Sequence, residues 1–129
     1  MSYSIPLYHS FVRAGFPSPA DDFIEQYLDL NEFLIRSKSS TFFIRVSGDS
    51  MINAGIHEDD ILIIDRSLNP KNNDVILAIL NGEFTVKRYV KKNNQVVLMP
   101  ENKRYAPKFI NSYDEFEVWG VVTNVIHKP

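Results

Sequence analysis

Residues 75–90 read VILAILNGEFTVKRYV, two apolar-rich runs joined by Asn81-Gly82. Asn-Gly tolerates the positive φ angles of a two-residue hairpin turn, so the stretch predicts two antiparallel strands that meet at residues 81–82. Alternation from that turn puts Phe84, Val86, Arg88 and Val90 on one face of the second strand, and Thr85, Lys87 and Tyr89 on the other. On either side of this hairpin the same texture recurs. TFFIRV (41–46), DDILIID (59–65), NQVVLMP (94–100) and FEVWGVVTNVIH (116–127) are β-branched or aromatic runs, and the turn-rich SLNPKNN (67–73) precedes the hairpin. Six or seven strands at this spacing predict a mainly-β, compact antiparallel domain with little helix.

The N-terminal part differs. Residues 1–20 carry Pro6, Pro17, Pro19 and Gly15 with few charges, which argues against a helix or central strand and for an extended arm. PADDFIEQYLDLNEFLI (19–35) then places Phe23, Ile24, Tyr27, Leu28 and Leu30 at helical spacing behind Asp21 and Asp22, residues suited to a helix N-terminus. The expected organisation is an arm over 1–20 and a β domain over 21–129 that opens with one short helix.

Composition narrows the function. The chain has 129 residues, 44% of them hydrophobic, enough for one domain with a real core. A formal charge of −2 gives no electrostatic footprint for phosphate, so direct sequence-specific DNA binding is not expected. The absence of cysteine excludes disulfides, thiolate catalysis and cysteine-based zinc sites, and fits a cytoplasmic protein. MSYSIPLYHSFV has neither a basic leader nor a continuous apolar stretch, and reads as no signal peptide. The longest aliphatic run, Val75 to Leu80, is far below the roughly 20 residues that span a bilayer, so no membrane association is expected.

Chemistry is concentrated in VSGDSM (46–51). A serine hydroxyl is a weak nucleophile unless a neighbouring base takes its proton. Gly48 permits a sharp turn, and amides near Gly48, Asp49 and Ser50 would be available to an oxyanion. Taken alone, the motif is a weak signal and reads more readily as a polar turn or cap. Lys87 on the hairpin is a candidate base only if burial holds its amine neutral near physiological pH, at about 1.4 kcal/mol per unit of pKa depression. His9, His57 and His127 are alternative bases, but they fall in the arm, an acidic turn and the C-terminal end, where they read as surface residues. His57, Glu58, Asp59 and Asp60 are consecutive and cannot all face one ion. They read as a solvated turn, and no metal or cofactor is expected.

The chain resembles the LexA/UmuD family of self-cleaving serine-lysine proteins. The resemblance rests on RAGFPSPADDFIEQYLDLNEFLI (13–35), VSGDSMINAGIHEDDILIIDRSL (46–68), GEFTVKRY (82–89), LMPENKRYAP (98–107) and WGVVTNVIH (119–127). It implies Ser50 as nucleophile, Lys87 as general base and Ala14-Gly15 in the arm as the bond cut. It also implies a homodimer, and no cofactor. Family repressors carry a helix-turn-helix domain ahead of the cut, whereas only 14 residues precede it here. The implied role is therefore the mutagenesis one. Contact with a RecA–single-stranded-DNA filament stimulates the cut, and the trimmed form serves a UmuC-type Y-family polymerase in translesion synthesis. A non-catalytic polymerase adaptor and a signal-peptidase-like protease acting on other chains remain the rivals. Reach does not limit self-cleavage, because the chain from Ala14 to Ser50 spans up to about 115 Å when extended at roughly 3.3 Å per residue.

Overall fold

In the computed structural model, Asn81 and Gly82 take φ angles of 51° and 84° and set Leu80 opposite Glu83, the hairpin read from the sequence. The structure describes residues 3–8, 12, 14–15 and 23–129. By its contacts the chain divides into two compact units, 1–36 and 37–129.

In the first unit, strand β1 (Ile5–Tyr8) pairs antiparallel with β2 (Ile24–Leu28), and helix α1 (Leu30–Leu34) follows. The strand β1 is extended, as expected for the arm. Pro6 is tolerated there because, among the described residues, β1 pairs with β2 alone and its other edge needs no donor. The one short helix expected within 19–35 is present as α1, but its early part is a correction: residues 24–28 form a strand. Their aromatic and β-branched content suits a pleated surface, and β1 supplies the ladder partner that periodicity cannot reveal. The helix starts only after Asp29, whose Oδ1 accepts the Asn31 N–H at 2.9 Å as an N-cap. The expected helix openers Asp21 and Asp22 lie outside the described residues, as does His9.

The second unit holds β3 (Thr41–Arg45), β4 (Ile61–Asp65), β5 (Val75–Leu80), β6 (Glu83–Lys92), β7 (Gln95–Met99), β8 (Lys108–Phe109) and β9 (Phe116–Ile126). They form one antiparallel sheet in the order β3-β4-β9-β5-β6-β7-β8. The last long strand, β9, thus sits between β4 and β5 near the middle. It carries an extra residue at Trp119 against β5 and another at Thr123 against β4, bulges that bend the strand and raise its twist. The bent sheet buries two clusters. One is built on Met51, Ile56, Leu62, Ile64 and Leu77; the other on Ile76, Ala78, Leu98 and Val121. At Gly120 the strands come so close that an added Cβ would lie 2.5 Å from Ile64 Cγ2 and 3.2 Å from the Asp65 carbonyl oxygen. Among the described residues no helix is long and apolar enough to cross a membrane.

One consequence of this topology sets up the site. β5 pairs with Glu83–Arg88 of β6, and β7 pairs only with Arg88–Lys92. Among the described residues the second edge of Glu83–Lys87 therefore has no partner strand.

Candidate active site

The turn at residues 47–51 leaves β3 and enters a short 3-10 helix, Ile52–Ala54. Gly48 has φ 87°, a left-handed conformation that residues with a Cβ rarely adopt, so glycine makes the turn possible. Met51 is 3% exposed and packs into the first core cluster, which anchors the residue after Ser50. Ser50 itself is half-buried at the wall of a cleft of about 280 Å³, shared with Ile44, Val46, Phe84, Val86 and Lys87.

A second segment, 101–105, clamps the turn. The Glu101 N–H donates to the Ser50 carbonyl at 2.9 Å, and the Asn53 N–H donates to the Glu101 carbonyl at 2.8 Å. Asn102 Nδ2 donates to the Asp49 carbonyl at 3.0 Å, and the Tyr105 hydroxyl donates to Asp49 Oδ1 at 2.5 Å. That hydrogen bond to the carboxylate raises the Tyr105 hydroxyl above its usual pKa of 10.0. Asp49 is thus tied into the turn. The same segment reaches β6, where Arg88 Nε donates to Glu101 Oε1 at 2.7 Å. Glu101 therefore links Ser50 to the residue next to Lys87. Sequence reasoning missed this clamp, since LMPENKRYAP shows no spacing that would announce it.

Lys87 Nζ lies 3.1 Å from Ser50 Oγ, 3.0 Å from Thr85 Oγ1 and 3.1 Å from the Val86 carbonyl oxygen. Thr85 and Lys87 share a face of β6, as alternation from the turn predicts, and their side-chain ends meet. Burial among apolar walls lowers the Lys87 pKa below its ordinary 10.5. Among the described residues no carboxylate forms an ion pair with the amine, so nothing offsets that desolvation. A neutral lysine has two N–H donors and one lone pair. With the amine neutral, Thr85 Oγ1 and the Val86 carbonyl can accept its two N–H groups and leave the lone pair facing the Ser50 hydroxyl. The arrangement can take a proton from Ser50.

Ala14 and Gly15 lie at an exposed bend of the first unit, and an added Cβ at Gly15 would meet nothing within 4 Å. Two of the histidine alternatives, His57 and His127, keep partly exposed side chains. The rings of His57 and His127 lie together, 4.6 Å between centroids, beside Asp60. The Ser50 hydroxyl's side-chain partner is Lys87. Asp60 is a correction to the solvated turn: it is 3% exposed, because the His57 N–H and the His127 ring hold its carboxylate inside.

The profile of the peptidase S24-like family matches residues 6–123. The chain belongs to that family. It is 43% identical to Protein ImpA of Salmonella typhimurium over 98% of this chain and 86% of the relative. It is also 43% identical to Protein MucA of Escherichia coli, over 95% of this chain and 84% of that one. LexA repressor 1 of Geobacter sulfurreducens is 41% identical over 77% of this chain and 48% of its own length. Within the family the chain is of the UmuD type, as its similarity to ImpA, MucA and SamA across nearly its whole length shows.

Proposed function

We propose that this chain is an SOS-response mutagenesis subunit that cleaves itself between Ala14 and Gly15 with Ser50 as nucleophile and Lys87 as general base. The observation that carries the reading is the 3.1 Å approach of Lys87 Nζ to Ser50 Oγ at a place where burial favours the neutral amine. Ser50 Oγ attacks the Ala14 carbonyl carbon while Lys87 takes the hydroxyl proton. The backbone amides at the Gly48–Ser50 turn stabilise the oxyanion. Lys87 then returns the proton to the Gly15 nitrogen as the peptide bond breaks, and water hydrolyses the Ser50–Ala14 ester.

The edge of Glu83–Lys87, which has no partner strand among the described residues, supports the way substrate is held. An extended segment around Ala14-Gly15 would add to that edge as a strand, its main chain hydrogen-bonded and its small residues admitting attack. The other Ala-Gly pair, Ala54-Gly55, follows the nucleophile directly and is fixed by the 3-10 helix. In this reading a RecA–single-stranded-DNA filament stimulates the cut in the cytoplasm. The trimmed homodimer then serves as accessory subunit of a UmuC-type Y-family translesion polymerase.

The test is intact-mass analysis of the purified full chain incubated at mildly alkaline pH, with and without RecA filaments. Residues 15–129 should accumulate, faster with filaments, and Ala14→Trp should block the cut by steric clash. A different new N-terminus, or a cut indifferent to Ala14→Trp, would remove the arm as substrate. No cut under any condition, with polymerase binding intact, would leave the adaptor reading.

A further inference from the structure

We propose that His57, Asp60 and His127 form a binding site for one zinc-class divalent cation, at the end of the sheet formed by β4 and β9. The topology assembles it. Ile61 of β4 is opposite Ile126 of β9, so the residues just beyond each end, Asp60 and His127, are brought face to face. His57 joins them through a tight turn, in which its N–H donates to Asp60 Oδ2 at 2.7 Å and the Asp60 N–H returns to the His57 carbonyl at 3.1 Å. Asp59, inside the turn, takes φ 71°, a conformation in which aspartate is enriched.

Two features of the cluster point to a cation. The first is the donor set: one imidazole nitrogen from each histidine and one carboxylate oxygen, all within 4.8 Å of one another. Two nitrogens and one oxygen are the ligands that zinc and its first-row neighbours take, with a fourth position left for water. The second is His57 Nδ1, a buried atom with no hydrogen-bond partner among the described residues. An orphaned buried polar atom is costly, and in the tautomer with its proton on Nε2 the Nδ1 lone pair would fit a metal ion. It lies 3.7 Å from Asp60 Oδ2, and His127 Nδ1 lies 2.6 Å from Asp60 Oδ1. Bonds of about 2.0–2.1 Å in a tetrahedral site put ligand atoms about 3.3 Å apart, so the three donors, which lie within 4.8 Å of one another, would close around the ion. Metal would replace the hydrogen between His127 and Asp60, with the imidazole proton moving to Nε2. The His57 and His127 side chains are 44% and 42% exposed, which gives the ion a way in and room for its water.

Zinc binding by the tag-free full chain, after chelator treatment, tests the site. One zinc per chain is expected by equilibrium dialysis, together with a raised thermal midpoint, since the ion binds only the folded site. His57→Ala and His127→Ala should each weaken binding about tenfold or more, whereas His9→Ala should leave it unchanged. NMR of the unsubstituted protein gives a readout that needs no variant: zinc should shift the ring signals of His57 and His127 and leave those of His9 in place. Absence of one-to-one zinc binding, survival of binding in the His57→Ala/His127→Ala double variant, or zinc shifts confined to other residues would each overturn the proposal.

Discussion

The amine of Lys87 stands 3.1 Å from the hydroxyl of Ser50, although 37 positions separate them in the chain. Two devices hold that distance. Met51 anchors the serine turn in the core, and Glu101 bridges the turn to β6 through the Ser50 carbonyl and Arg88. The lysine is therefore positioned by a packed framework, and its own flexibility contributes little to the geometry.

Removing either end of this pair should abolish self-cleavage without unfolding the protein. Ser50→Ala and Lys87→Ala each delete one half of an activation pair, so each should lower the rate by at least about a thousandfold, and the double variant should be little worse than either single one. The check is mass analysis of product over time beside far-UV circular dichroism. Cleavage by Ser50→Ala at a rate near that of the unaltered chain would exclude Ser50 as nucleophile.

The depressed pKa of Lys87 has two pH signatures. Cleavage should accelerate as pH rises through the folded-state pKa, because the neutral amine is the active form, and then level off. Stability should move the same way. Below the folded pKa the cost of burying the ammonium is fully present. Between that pKa and the ordinary 10.5 the unfolded chain binds the extra proton, so stability rises with pH. Urea midpoints of the unaltered chain and Lys87→Met, measured across this window, should show the slope only where lysine is present.

Thr85 acts on Lys87 as a positioning residue. Thr85→Val keeps the shape and removes the oxygen that accepts a Lys87 N–H at 3.0 Å. Loss of one such hydrogen bond, worth about 1 kcal/mol, should slow cleavage several-fold. The alkaline limb of the rate profile should shift as well. Thr85→Ser should restore both the rate and the profile. A Val variant with an unaltered pH profile would argue that Thr85 only fills space.

Gly120→Ala should destabilise the second unit by about 1–3 kcal/mol, since the new methyl meets Ile64 and the Asp65 carbonyl with no open space. The urea midpoint reports it. Gly15→Ala is the contrasting case: it adds a methyl where nothing lies within 4 Å, and should leave stability nearly unchanged.

Local chemistry made most of the strands legible. Asn81-Gly82 tolerates positive φ, and the alternating and aliphatic runs around it can satisfy backbone and burial together only as strands of a sheet, so the antiparallel class and the shared face of Thr85 and Lys87 followed from short-range rules. Residues 24–28 failed the same treatment. Their helical spacing was real, but the partner that makes residues 24–28 a strand is β1, from the other end of the unit, and no local window contains it. The contacts of the site were hidden for the same reason. Ser50 and Lys87 announce themselves as residue types, whereas their approach, the Glu101 clamp and the burial that favours a neutral amine depend on which strands lie side by side. Asp60 shows the limit most plainly. Four consecutive polar residues imply a solvated turn, and that implication held until the pairing of β4 with β9 brought His127 against the carboxylate and closed it from water. Sequence specifies backbone preference and residue chemistry, because both act over a few bonds. Distance, burial and the protonation they impose arise from contacts between segments far apart in the chain, and these exist only once the sheet is assembled.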